Sequence, residues 1–170
     1  MKYFPFLLLI LVGCKKEQTV HAPAGGGSQK SQVEISKQRA RSLNEMERRQ
    51  IEEWIAKQDE KFFPMPLNYW VNIQDLSSRS RKSDEDIVTY QYFAEDFYGT
   101  KIYDKPKGYI DVKFGKFPND LKAVEDALRY MNVGEEATLL VPSVLGFGTY
   151  GDGDKIGNDL PLIVKLKLLK

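Results

Sequence analysis

The chain predicts an α+β fold, an antiparallel sheet wrapped around one short helix and preceded by a helical extension. Three observations lead there. Runs rich in aromatic and β-branched residues recur between positions 67 and 114. Leu121, Val124, Leu128 and Met131 then follow at spacings of three, four and three, an apolar stripe on one helix face. Finally, two strand-like runs at 137–141 and 162–169 flank a glycine-punctuated loop. One helix inserted before the last two strands is not a strand–helix–strand repeat, and no internal repeat is visible.

The first residues stand apart from that domain. Met1-Lys2 supplies a positive start and residues 3–12 form an apolar run of about ten, half the roughly 20 needed to span a bilayer as a helix. The run ends in Leu11-Val12-Gly13-Cys14, which resembles a bacterial lipoprotein processing box. Residues 1–13 therefore predict a lipoprotein signal peptide, with Cys14 as the lipidated first residue of the mature chain. An ordinary signal peptide that happens to contain a cysteine is the alternative. Residues 14–32 are small, polar and Gly/Pro-rich, and predict a flexible tether with a reach of roughly 20–25 Å.

From 34 to 61 the chain is rich in Arg, Glu and Gln without Gly or Pro, so residues 33–63 predict a helical extension. Leu43, Met46, Ile51, Trp54 and Ile55 fall within one face. That face would cover the chain's own domain or a homodimer partner through residues 34–61, with a membrane-surface helix as the sharper alternative. Phe62-Phe63-Pro64-Met65-Pro66 would end it.

Residues 64–170 predict the domain. Residues 67–76 and 87–97 read as strands separated by a charged loop, with a turn at Gly99 leading to Ile102-Tyr103-Asp104. The run 109–114 alternates, which places Ile110, Val112 and Phe114 on one face. A helix follows over 118–131, with Gly134 just beyond its end.

Composition excludes several chemistries. The chain of 170 residues carries a net charge of +1, which exerts no overall pull on nucleic acid. Arg79, Arg81 and Lys82 read as a solvated loop rather than a phosphate site. Cys14 is the only cysteine and His21, in the tether, the only histidine. The domain therefore holds no disulfide, Ser-His-Asp triad, Cys-His dyad or His-rich zinc site, and neither a metal nor a cofactor is implied. Asp152-Gly153-Asp154 lacks the other carboxylates of a calcium loop and predicts a turn. The glycines from Gly146 to Gly153 do not follow a phosphate-loop pattern.

Several short pieces occur in a telling order. They are Tyr92; Gly99 with Tyr103-Asp104; Phe114-Gly115; Met131-Asn132-Val133-Gly134-Glu135; Val141-Pro142-Ser143; Phe147-Gly148; and Leu160-Pro161-Leu162-Ile163. Over about residues 86–169 this resembles the FKBP family of peptidyl-prolyl cis-trans isomerases. The flap Tyr150-Gly151-Asp152-Gly153-Asp154-Lys155-Ile156 and the preceding extension are most similar to its gliding-motility-associated lipoproteins.

The resemblance implies an FKBP-like domain acting on X-Pro polypeptides during the folding of exported proteins, anchored to a bacterial envelope membrane, the outer membrane by expectation. A non-catalytic binding or assembly module of gliding-type envelope machinery is the rival. Position by position it implies a cleft formed by Tyr103, Asp104 and Phe147 as the catalytic group, with Tyr92, Ile110, Leu121, Val124, Ile156 and Val164 holding substrate. Tyr103 and Asp104 would form the aromatic–acid pair beside the substrate carbonyl. Tyr92, Ile110, Leu121, Val124 and Val164 equally suit core positions of any small barrel. Three departures from the family pattern predict weakened catalysis: Val124 stands for a Trp, Phe147 for a hydroxyl-bearing Tyr, and Val164 for a Phe.

Overall fold

The computed structural model describes residues 29–117 and 121–170, and side chains of the first helix from residue 31 onward. The signal peptide and most of the tether lie outside the described residues, as do positions 118–120 of the predicted inner helix. The chain divides into two compact units, 1–37 and 38–170. Among the described residues no helix is long and apolar enough to cross a membrane.

Helix α1 runs Gln29–Ile55, starting earlier and ending earlier than the 34–61 expected. In the first unit, residues 31–37 of this helix are solvent-exposed. Its end lies well before the prolines. Lys57 and Gln58 donate tight-turn bonds to the carbonyls of Trp54 and Ile55 (3.1 and 3.0 Å), turning the chain at once. That turn brings Phe62 edge-on to Trp54 at 5.7 Å, and Phe97 meets the same indole at 5.7 Å. Aromatic packing outweighs the helix-forming sequence 56–61.

Within the second unit a six-stranded antiparallel sheet has the order β1-β2-β5-β6-β3-β4. The strands are β1 Phe63–Pro64, β2 Trp70–Val71, β3 Ile87–Glu95, β4 Lys107–Lys113, β5 Glu136–Val141 and β6 Leu162–Leu168. The first predicted strand, 67–76, is mostly loop. Asn68 and Asp75 take positive φ (65° and 56°), and only Trp70–Val71 pairs with β5. Phe63–Pro64 forms an edge strand, where the missing proline N–H costs no ladder bond.

Helix α2, Lys122–Leu128, lies on one face of the sheet. Leu121, Val124, Leu128 and Met131 are all buried, as their spacing requires, against Tyr92, Leu139, Val164 and Leu166. The opposite face is covered locally by α1. Ile51 packs on Leu140, Ile163, Trp70 and Phe97, so this part of the extension covers its own domain. Met46 does not share that face: it is 60% exposed, and Glu47 is buried in its place. Burial of a carboxylate was invisible to an apolar count.

Strand β4 contains a bulge. Val88 pairs with Val112 but Tyr90 pairs with Tyr109, so two residues, Ile110 and Asp111, oppose Thr89 alone. Asp111 takes φ 52°, and its N–H donates to Thr89 Oγ1 (3.1 Å). The extra residue reverses the side-chain alternation. Tyr109 turns inward onto Tyr90 (5.4 Å between rings), and Ile110 turns outward, 79% exposed. The expectation that Ile110 shares a face with Val112 and Phe114 is therefore corrected.

Of the basic cluster, Arg81 is solvent-exposed as expected, whereas Arg79 and Lys82 are engaged within the domain. Arg79 donates to both oxygens of Glu135 (3.0 and 2.7 Å). Lys82 Nζ donates to the carbonyl of Leu128, the last residue of α2 (3.0 Å), and to that of Met131 just beyond the helix.

Candidate functional site

Most of the expected cleft residues converge where α2, β3, β6 and the flap meet. Period-two alternation in β3 turns Tyr92 inward, and the same rule in β6 presents Val164. Helix α2 supplies Val124, and Leu121 stands at its entrance. Ile156 descends from the flap, with Phe147 half-buried against the same cluster. Tyr103 arrives through the Gly99 turn. Asp96 Oδ1 fixes that turn by accepting the N–H groups of Tyr98 and Thr100 at 2.9 and 2.8 Å.

The aromatic–acid pair differs from the expected one. The Asp104 side chain is 96% exposed and, among the described residues, makes a long contact with Lys155 Nζ at 3.9 Å. Tyr103 instead donates its hydroxyl to Oδ2 of Asp152, in the flap. The other oxygen of Asp152 accepts the backbone N–H groups of Asp154, Lys155 and Ile156 at 3.0, 3.0 and 2.7 Å. Asp152 thus makes the turn its sequence predicts and also ties the flap tip to the loop after β3. Its local role was legible from Asp-Gly-Asp. Its bond to a residue 49 positions away had no local signal.

Electrostatics follow this arrangement. Burial pushes the Tyr103 phenol above its ordinary range, and the adjacent Asp152 carboxylate adds to the rise, so Tyr103 is a neutral donor at physiological pH. For Asp152, burial alone would raise the carboxyl. The Tyr103 hydroxyl and the three backbone N–H groups outweigh it and hold the group below its usual range. Lys107 Nζ lies 4.2 Å from the Tyr103 ring centroid, a cation–π contact at the rim.

Ile110 and Asp104 are thus set apart from a cluster formed by Tyr92, Tyr103, Leu121, Val124, Ile156 and Val164, with Phe147 against it. Two surface clefts of about 330 and 380 Å³ lie elsewhere. One is on the outer sheet face beside Gln91, Phe93 and Thr138, and the other lies between α1 and Pro142, Val144 and Leu145. Among the described residues no group of three or more His, Cys, Asp or Glu is placed to hold a metal ion.

An antiparallel sheet folded over one short helix, with a flap of this design above an apolar cluster, defines a class that comparison with known proteins makes specific. Residues 78–169, just over half the chain, match the model of the FKBP-type peptidyl-prolyl cis-trans isomerases. The chain belongs to that family. It is 28% identical over 138 residues to a probable FKBP-type peptidyl-prolyl cis-trans isomerase FkpA of Neisseria meningitidis serogroup B, covering 81% of this chain and 50% of that protein. The chain therefore spans half the length of this relative. Among solved structures, FkpA from Escherichia coli superposes with a TM-score of 0.55 at 17% identity, over 83% of this chain and 65% of that one. A peptidyl-prolyl cis-trans isomerase of Pseudomonas syringae pv. tomato gives 0.54 at 16% identity, over 76% and 93%. At such identities the likeness is one of fold.

Proposed function

We propose that this chain catalyses cis–trans isomerisation of X-Pro bonds in exported polypeptides at the bacterial envelope, held to a membrane by a lipid on Cys14. One observation carries the catalytic reading. Tyr92, Tyr103, Leu121, Val124, Ile156 and Val164 form one apolar cluster with Phe147 against it, under a flap tied down by Tyr103 and Asp152.

The reaction requires no nucleophile or proton shuttle. Amide resonance sets a rotation barrier of ~18–20 kcal/mol, and twisting the bond removes that resonance. In the twisted state the nitrogen is pyramidal and the carbonyl less polar, so an apolar wall suits it better than water does. Proline would sit against Tyr92, Val124 and Val164, with Phe147 and Ile156 excluding solvent above. The backbone N–H at Leu121 would meet a substrate carbonyl. Phe147 brings no hydroxyl, so this site orients substrate by shape more than by hydrogen bonding.

A protease-coupled X-Pro assay on the chain tests this. Acceleration over the solvent rate, lost in Val124→Asp, is expected. Rates equal to the uncatalysed reaction across several preceding residues would sink the catalytic reading. They would favour a second one, a non-catalytic binding module of gliding-type envelope machinery. The deep burial of Tyr92, Val124 and Val164, each at most 1% exposed, is the observation on that side. For the anchor, fatty-acid label taken up by the parent should be absent from Cys14→Ser, and retained label would remove Cys14 from the proposal.

A further inference from the structure

Four polar or charged side chains are buried among the described residues: Glu47, Glu95, Arg129 and Ser143. Two have charged partners, Glu95 with Lys165 and Arg129 with Asp84 and Glu125. The other two serve each other. Glu47 Oε2 accepts the Ser143 backbone N–H at 2.8 Å, and Oε1 accepts the Ser143 hydroxyl at 2.6 Å. Both residues are at most 3% exposed and 96 positions apart.

Ser143 occupies a particular place. β5 ends at Val141, Pro142 follows, and Ser143 opens the short 3₁₀ turn Ser143–Leu145 from which the flap rises. Beyond this stem the flap is bonded to itself. Asp159 N–H donates to Gly148 O at 2.9 Å and Asp152 N–H to Ile156 O at 3.2 Å, while Asp152 gathers three further N–H groups. A loop closed on itself in this way joins the sheet through its stem, where Leu145 and Gly146 donate their N–H groups to Pro142 O at 3.0 and 3.2 Å. Phe147, the aromatic that packs against the cluster, stands four residues after Ser143. A second, looser link joins α1 to the other end of the flap, Arg39 to Asp159 at 3.8 Å, with Arg39 79% exposed.

Ionisation does not account for a carboxyl group buried here. Burial pushes Glu47 above its ordinary range despite the two Ser143 bonds that lower it. At neutral pH its ionisation therefore opposes folding rather than favouring it. What the side chain supplies is direction: its two oxygens meet the backbone N–H and the hydroxyl of Ser143. Here both fall on one residue of the flap stem.

We propose that Glu47 is a positioning residue for the isomerase site: α1 holds the flap stem through the Glu47–Ser143 pair and so sets where Phe147 stands over the cleft. The proposal rests on the isomerase reading for its activity arm only. The helical extension then belongs to the site, and a domain cut to begin after Ile55 lacks part of it.

The test compares the full chain with Glu47→Ala, Glu47→Gln and Ser143→Ala by amide hydrogen exchange and by X-Pro isomerisation. In Glu47→Ala, exchange at Ser143, Leu145 and Gly146 should accelerate at least ten-fold, while Leu139 and Val164 in the sheet stay within two-fold. kcat/KM should fall by about ten-fold, mostly through KM, because a displaced Phe147 weakens binding. Glu47→Gln, which keeps shape and one strong acceptor, should recover at least half of the lost protection. Ser143→Ala, which keeps the backbone bond, should fall between. Unchanged stem exchange in Glu47→Ala would overturn the proposal. So would acceleration shared equally by the sheet, which would mark a merely structural contact. If the parent itself lacks activity, the catalytic reading fails while the exchange arm still decides the brace.

Discussion

Gly151 offers the sharpest test of how the flap is built. Its φ of 67° and ψ of −163° lie in a region essentially closed to residues with a Cβ. A Cβ there would stand well inside contact distance of the Ile156 carbonyl oxygen, with Ile156 C at 3.1 Å and Gly157 C at 3.2 Å. The obstacle is backbone, which cannot swing aside as a side chain can. Gly151→Ala combines roughly 1–3 kcal/mol of backbone strain with loss of the Asp152–Ile156 bond, worth about 0.5–1.5 kcal/mol. The total is about 3 kcal/mol with the flap in place, enough to make a rearranged flap preferable. Gly153 provides the control: its φ is also positive, at 75°, but nothing lies within 4 Å of the place a Cβ would take. Gly153→Ala should cost only about 1 kcal/mol. In the X-Pro assay Gly151→Ala should lose at least ten-fold in kcat/KM and Gly153→Ala less than three-fold, with urea unfolding checking that the sheet survives. Equal activity in the two variants would refute the claim that close backbone approach at Gly151 shapes the site.

Other outcomes follow from contacts described above. Tyr103→Phe removes the hydroxyl bond to Asp152, and because that carboxylate is partly solvated the cost in urea unfolding should be about 1 kcal/mol, below the usual range for charged partners. Isomerisation should weaken alongside, since the flap tip is released. Arg129 is buried against Phe114, 4.4 Å from its ring, and bonded to Asp84 at 2.6 Å and Glu125 at 3.2 Å. Arg129→Ala should cost about 2–4 kcal/mol, with Arg129→Met recovering part by restoring packing. For pH, burial opposes but hydrogen bonds win at both Asp152 and Glu135, leaving each below its ordinary value of 3.8 or 4.5. Each contributes stability that is full above the ordinary value and lost as pH falls through the depressed one. Urea midpoints should therefore drop below about pH 4, and the drop should be shallower in Asp152→Asn, where that group no longer titrates.

Much of this architecture was legible because short-range periodicity produces it. The stripe Leu121, Val124, Leu128 and Met131 is buried as spaced, and Val88, Tyr90, Tyr92 and Ala94 alternate inward along β3. Where one residue breaks a period, the reading fails beyond it. The bulge at Asp111 turns Ile110 to solvent, and nothing in Tyr-Ile-Asp-Val announces an inserted residue. Polar pairs joined across the chain were equally hidden. Glu47 with Ser143, Lys82 on the end of α2, and Tyr103 with Asp152 each satisfy a buried group from 46 to 96 residues away. Such bonds depend on where the fold carries each segment, so local composition shows only a surface charge or a turn residue.

The position of β6 has a consequence for how the domain assembles. It is the last strand in chain order yet lies inside the sheet, paired with β5 along one edge and β3 along the other. Until 162–168 is in place, β3–β4 and β1–β2–β5 are separate fragments with exposed apolar faces. Joining them requires closing the loop from β3 to β6, about 70 residues at the Glu95–Ile163 pairing, and non-local closure is what slows folding. A chain interrupted before Leu162 would thus present two unpaired strand edges, a substrate for chaperones and proteases rather than a smaller working domain.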